Sequence, residues 1–415
     1  MSHPYTQLPA NATSNPISFY VSFPDSQLSE MNTPKTFQDR SPNIRKSPRR
    51  RSIWHSSQVA NRSKRLLAKP LLLVRLPLLP LPSLLFTKIH PRRECEAKIN
   101  SFPHFKVPVT NAGETLSLHF VALFSERKDA IPILLLHGWP GSFLEFLPIL
   151  SIIKSRYTSS TLPYHLIIPS LPGYAFSQTP PLDHDFQIQD IARFMNQLML
   201  DLGFRAGYAV QGGDIGSKVA RVLAAEHEAC KAVHLNFGIM PEPAGADSSL
   251  ITPAEKIGLQ RAEEFISTGS AYALLHATRP STISFALASN PLSLLAWIGE
   301  KFQEWTDTTP SLDAILESVT LYWLTETFPR AIYPYRQLFT PGVVGAHENP
   351  KWHIRKPFGF SWFPKEIAPV PRVWVETTGE LVWWRSHMKG GHFAAVERSK
   401  VLLKDLEDFV SEVWK

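Results

Sequence analysis

Three short runs of continuous apolar character organise this chain: Ile131-Pro132-Ile133-Leu134-Leu135-Leu136, Ala206-Gly207-Tyr208-Ala209-Val210 and Ala232-Val233-His234-Leu235-Asn236. They are too short for core helices and are bounded by glycine or polar residues, so they predict strands buried on both faces, as in a parallel sheet. Val370-Pro371-Arg372-Val373-Trp374-Val375 reads as a further strand. Between and after these runs apolar positions recur at spacings of three and four. Ser217 to Ala225, Ala254 to Phe265, Leu312 to Leu324 and the series Leu402, Leu406, Phe409, Val410, Val413 therefore predict helices. Strands followed by helices in this order predict an α/β fold with a mostly parallel central sheet flanked by helices.

The junction after Val210 carries the most chemistry. Gly212-Gly213-Asp214-Ile215-Gly216 has the Gly-x-nucleophile-x-Gly spacing of a strained strand-to-helix turn, with a carboxylate where serine hydrolases carry a hydroxyl. With a reference pKa of about 3.9, Asp214 is an anion at neutral pH and attacks without a base. A histidine is then free to activate water, so the motif predicts two-step hydrolysis through an ester on Asp214. No Gly-x-Ser-x-Gly sequence competes with it.

Two other loops fit this chemistry. The strand through Leu136 runs into His137-Gly138-Trp139-Pro140-Gly141-Ser142, whose Trp139 backbone N–H, with that of Ile215, is a candidate oxyanion donor. His137, at a strand end, reads as structural. Gly390-Gly391-His392-Phe393 puts a histidine on a Gly-rich loop ahead of the last helix, which makes His392 the candidate base. The acid that orients it must lie between 214 and 392 in the hydrolase chain order. Glu366, Glu376 and Glu380 all flank the 370–375 run, and spacing does not choose among them.

The set His137-Gly138-Trp139-Pro140-Gly141, Leu171-Pro172-Gly173-Tyr174-Ala175-Phe176-Ser177, Gly212-Gly213-Asp214-Ile215-Gly216 and Gly390-Gly391-His392-Phe393-Ala394-Ala395 resembles the microsomal-type epoxide hydrolases of the α/β-hydrolase superfamily, soluble fungal members especially. The resemblance covers roughly residues 90 to 415. It implies an α/β-hydrolase fold with an inserted helical lid, no cofactor and no metal, and an apolar epoxide and water as substrates. It selects Glu366 as the acid, in Gly359-Phe360-Ser361-Trp362-Phe363-Pro364-Lys365-Glu366. It also implies two lid tyrosines that hydrogen-bond and protonate the epoxide oxygen, matched by Tyr272 and by Tyr335, with Tyr333 two residues away as the alternative for the second. Family members often carry tryptophan where this chain has Ile215; the donor there is a backbone N–H, so the change implies altered packing only.

These features divide the chain into an N-terminal region (1–95), a first core segment (96–247), a lid (248–345) and a second core segment (346–415). Lid aromatics, among them Phe285, Trp297, Phe302, Trp305, Trp323 and Phe328, suit an apolar pocket under a helical cap. A haloalkane dehalogenase is the nearest alternative with an aspartate nucleophile, and the tyrosines argue against it.

Composition changes the picture mainly at the N-terminus. The formal net charge is +7. Residues 1–95 hold 15 Lys and Arg against 4 Asp and Glu, whereas the remainder holds 28 against 32. Arg45 to Arg51 and Arg62 to Arg65 thus form a local basic tract, read as an exposed segment without a nucleic-acid partner. Residues 15–30 and 92–105 resemble the ends of the family's N-terminal region, but about 32 to 90 do not. That atypical extension keeps open an inactive or misfolded family member. The Leu-rich stretch 69–86 is broken by Pro70, Arg75, Pro77, Pro80 and Pro82, so no transmembrane anchor is expected. Two cysteines, Cys95 and Cys230, give no disulfide framework, and a cytoplasmic location is the default. Self-association as a homodimer stays open.

Overall fold

The computed structural model describes residues 4–24, 27, 92–338 and 345–415. The atypical stretch from about 32 to 90 lies outside the described residues.

Among the described residues nine strands form one sheet: β1 (Ile17–Phe19), β2 (His104–Asn111), β3 (Glu114–Leu123), β4 (Ile131–Leu136), β5 (Tyr164–Pro169), β6 (Tyr208–Gly212), β7 (Cys230–Leu235), β8 (Ile354–Trp362) and β9 (Gly379–Ser386). Their order is β1-β2-β3-β5-β4-β6-β7-β8-β9. The first three strands and the β3–β5 pair are antiparallel, and every pair from β5 onward is parallel. The β2–β3 hairpin closes through Ala112 and Gly113, at φ 51° and 81°. Positive φ at both central residues is the turn geometry that matches strand twist.

Around the sheet lie α1 (Arg92–Ile99), α2 (Leu147–Arg156), α3 (Ile188–Asp201) and α4 (Asp214–Glu226). Between β7 and β8 come α5 (Pro253–Glu264), α6 (Ala271–Thr278), α7 (Pro280–Ala288), α8 (Pro291–Glu304), α9 (Leu312–Leu324), α10 (Thr327–Ala331) and α11 (Tyr335–Leu338). The chain closes with α12 (Arg372–Val375), α13 (Ala394–Glu397) and α14 (Ser399–Val413). Alternation along β4 explains its continuous apolar sequence. Leu134 and Leu136 join a core with Ile191 and Met195 of α3 and Val219 of α4, while Ile133 and Leu135 join one with Leu150 of α2 and Leu402 and Phe409 of α14.

The 370–375 run is a correction. It forms α12 rather than a strand, with Pro371 at φ −62° as its N-cap, and a short 3₁₀ turn, Glu376–Thr378, follows. The sheet edge is taken instead by β9, which is only partly buried and so lacks a continuous apolar signature.

The N-terminal residues strap the core. Val21 and Asn100 exchange two hydrogen bonds of 2.8 Å, and Ser14 donates from its backbone to the Asp201 carbonyl at 3.1 Å. The lid is bonded to the core as well: Tyr322 Oη donates to the Gly141 carbonyl at 2.8 Å, and Ala175 N–H to Thr327 Oγ1 at 2.8 Å.

Candidate active site

Parallel strands place their functional groups at their C-terminal ends, beside the point where the order reverses. Here β4 has β5 on one side and β6 on the other, and the loops after β4, β6, β8 and β9 carry Trp139, Asp214, Glu366 and His392. Asp214 is the first residue of α4 and sits in the left-handed region, at φ 46°. Such a conformation costs a non-glycine residue on the order of 1–3 kcal/mol, and the surroundings must hold it. Part of that grip is the close approach of α4 to β4: a Cβ at Gly216 would lie 2.3 Å from the Leu136 carbonyl oxygen. Ser217 Oγ also donates to the Asp214 carbonyl at 2.6 Å.

The carboxylate of Asp214 is gripped from two sides. Trp139 N–H donates to Oδ1 at 2.7 Å, and Ile215 N–H donates to the same carboxylate. His392 Nε2 lies 3.3 Å from Oδ2. On its far side His392 Nδ1 is 2.5 Å from Glu366 Oε1, which also accepts the Ile367 N–H at 2.6 Å. His392 and Glu366 are 6% and 2% exposed, so their bond is shielded from water. Of the other two acids, Glu376 is engaged by Arg372 at 2.7 Å and Glu380 is exposed on β9. His137 is buried, and its Nε2 accepts the Leu171 N–H at 3.2 Å, a structural bond between two site loops.

Charge follows this geometry. Burial pushes the Asp214 carboxyl up, but the His392 hydrogen bond and charge and the two amides outweigh it and hold the group below the usual carboxylate range. Burial pushes His392 down, and the charges and hydrogen bonds of Glu366 and Asp214 overcome it, lifting the imidazole to about 10. Its proton therefore depends on the Asp214 charge. Neutralising Asp214 removes part of what holds that proton.

Tyr272 on α6 and Tyr335 at the start of α11 are buried and bonded to each other through their hydroxyls. Trp139 stacks on Tyr272 with centroids 5.2 Å apart and meets Tyr335 edge-on at 6.1 Å. Burial raises both phenols, and the Asp214 charge raises them further, so both keep their protons. Tyr333 is half-buried. Among the lid aromatics, Trp305 and Phe328 each contact Trp139 at 6.3 Å, whereas Phe302 stacks on Phe393 at 4.4 Å.

The sequence reading missed three features. His276 packs edge-on against Trp139 at 4.6 Å and Tyr335 at 4.9 Å, and its Nε2 accepts from Trp297 Nε1 at 3.2 Å. Lys301 Nζ stands 4.8 Å over the Tyr272 ring. Glu145 lies within electrostatic range of Asp214 and His392, and burial lifts its carboxyl to about 8. His276 follows Tyr272 by one helical turn, a spacing that could have flagged it. Glu145 sits in a short 3₁₀ turn, Phe143–Phe146, which shows no periodic signal.

Two family models match parts of this chain. The epoxide hydrolase N terminus model matches residues 88–146, and the alpha/beta hydrolase fold model matches residues 131–256. A putative epoxide hydrolase of Dothistroma septosporum is 42% identical over 410 residues, covering 98% of this chain and 92% of that protein. The chain belongs to the epoxide hydrolases. The structure of Aspergillus niger epoxide hydrolase superposes with a TM-score of 0.84 at 46% identity, covering 99% of this chain and 100% of that one. Rabbit (Oryctolagus cuniculus) epoxide hydrolase 1 is 32% identical over 357 residues, covering 76% of this chain and 75% of that protein. The fold is thus the α/β-hydrolase fold common to these epoxide hydrolases. Among the described residues no group of three or more His, Cys, Asp or Glu is placed to hold a metal ion, and no single helix is long and apolar enough to cross a membrane.

Proposed function

We propose that this epoxide hydrolase converts an apolar epoxide and water to a vicinal diol through a covalent ester on Asp214. The observation that carries the reading is the chain Asp214–His392–Glu366 with Asp214 Oδ1 already held by the Trp139 amide. Oδ2, which faces His392 Nε2 at 3.3 Å, is then the nucleophilic oxygen. It attacks a ring carbon, the C–O bond breaks, and the leaving oxygen takes a proton from the Tyr272–Tyr335 pair. Such a donor spares the reaction a free alkoxide.

The ester carbonyl oxygen is Oδ1. When water attacks Cγ, negative charge develops on the oxygen that the Trp139 amide already holds, where a preorganised donor stabilises it most. His392 takes the proton of that water. Loss of the Asp214 charge on alkylation weakens the hold on the imidazole proton and favours the neutral base this step needs. Glu366 keeps the ring oriented and balances the imidazolium when it forms. As the tetrahedral centre collapses the Cγ–Oδ2 bond breaks, the remaining proton of the attacking water passes to the departing diol oxygen, and the proton taken by His392 returns to the tyrosine pair.

Diol formation from a small aryl epoxide such as styrene oxide tests the reading. The wild type is expected to produce diol and Asp214→Ala none. Equal turnover by the variant would overturn it.

A further inference from the structure

A small cavity beside Asp214 is lined by neither lid tyrosine. It has about 20 Å³ of room for the centre of a water molecule, and its polar lining comes from Asp214, His392, Glu145, Gln211 and Asn236. One water needs about 10–15 Å³ measured in this way and two to four polar partners. Gln211 donates its amide to Asn236 Oδ1 at 2.7 Å, yet its own Oε1, fully buried, has no hydrogen-bond partner among the described residues. A buried acceptor left unpaired is destabilising. A water in this room would satisfy it.

Glu145 closes the same room. A Cβ built on Gly141 would fall 1.2 Å from Glu145 Oε1, so the carboxyl occupies the space that a side chain at Gly141 would take. The Ser142 N–H donates to the carboxyl, and Tyr322 Oη donates to the Gly141 carbonyl at 2.8 Å behind it. A buried carboxyl beside a nucleophilic carboxylate is unfavourable for the fold alone.

We propose that this cavity holds the water that hydrolyses the ester and that Glu145 positions it. The inference rests on the Asp214 ester proposed above. One hydrogen of the water points to His392 Nε2, the other is held by Glu145 and Gln211 Oε1, and the lone pair faces Cγ of Asp214. The O–C bond forms on Cγ as one proton passes to His392, and the Cγ–Oδ2 bond breaks as the tetrahedral centre collapses, the water's second proton going to the departing diol oxygen. Glu145 stays outside this proton transfer. Its part is to fix the direction of attack.

The test separates the two half-reactions. Single turnovers of styrene oxide are quenched rapidly and the ester adduct is followed by mass spectrometry in the wild type, Glu145→Gln, Gly141→Ala and a His392→Gln control. Gly141→Ala displaces the carboxyl from the opposite side, so the test does not depend on one variant folding. In both test variants the ratio of ester hydrolysis to alkylation is expected to fall at least tenfold, with ester accumulating. A structural defect would slow both steps together and leave the ratio unchanged, and an unchanged ratio overturns the proposal. Absence of ester in the His392→Gln control would instead overturn the Asp214 ester itself, and the water site with it.

Discussion

The backbone N–H of Trp139 donates to Oδ1 of Asp214 at 2.7 Å, so the resting carboxylate already occupies the position in which the oxyanion of ester hydrolysis would form. The donors are set before any substrate arrives, and no reorganisation is needed when charge develops. The same bond helps to hold Asp214 anionic against burial. Alkylation, measured by stopped flow after a pH jump, is therefore expected to lose rate in acid only below about pH 3.8, the ordinary aspartate value. An acid limb for alkylation near pH 6 would contradict this.

His392→Gln removes the base while keeping the volume. Turnover is expected to fall by roughly 10²–10⁴, the range general base catalysis contributes. Alkylation is expected to survive, so intact-protein mass spectrometry should find enzyme plus epoxide. Sustained rapid turnover without an adduct would remove His392 from the second step.

Tyr272→Phe and Tyr335→Phe each delete one of two paired hydroxyls. Each is expected to slow alkylation by roughly 10²-fold, the scale of one lost preorganised donor. The double variant should be slower still. Tyr333→Phe, at a half-buried position, should stay within about twofold. The presteady-state alkylation rate is the measurement, and a large loss for Tyr333→Phe alone would exchange the two roles.

Glu145 gives a stability prediction with a definite sign. Its folded-state pKa is raised from 4.5 to about 8, so the fold favours the protonated carboxyl. That contribution is fully present below about pH 4.5 and is lost as pH rises through 8. Glu145→Gln should flatten the fall of stability between these values, by at most about 1.4 kcal/mol per pH unit. Urea unfolding of both proteins at pH 4.5, 6 and 8 checks it. Parallel curves would contradict the buried carboxyl.

Much of this was legible in the chain because the relevant forces are local. Runs such as 131–136 are apolar because both faces of an inner strand are covered, and the glycines around Asp214 mark a tight turn whatever surrounds it. The acid was less legible. Glu366 differs from Glu376 and Glu380 only in what the loop after β8 brings it against, and α12 hid its helical state behind strand-like residues. Glu145 was invisible for a related reason: its importance comes from the empty side-chain space at Gly141, a contact across the fold of a loop.

The central claim is that an oxygen of Asp214 enters the diol and an oxygen of water replaces it. A single turnover of excess enzyme with styrene oxide in ¹⁸O-water, followed by digestion and mass spectrometry of the peptide containing Asp214, tests this most directly. The mechanism predicts label in that peptide and an unlabelled first-turnover diol. Label in the diol with none in Asp214 would mean that water attacks the epoxide itself, and would contradict the account.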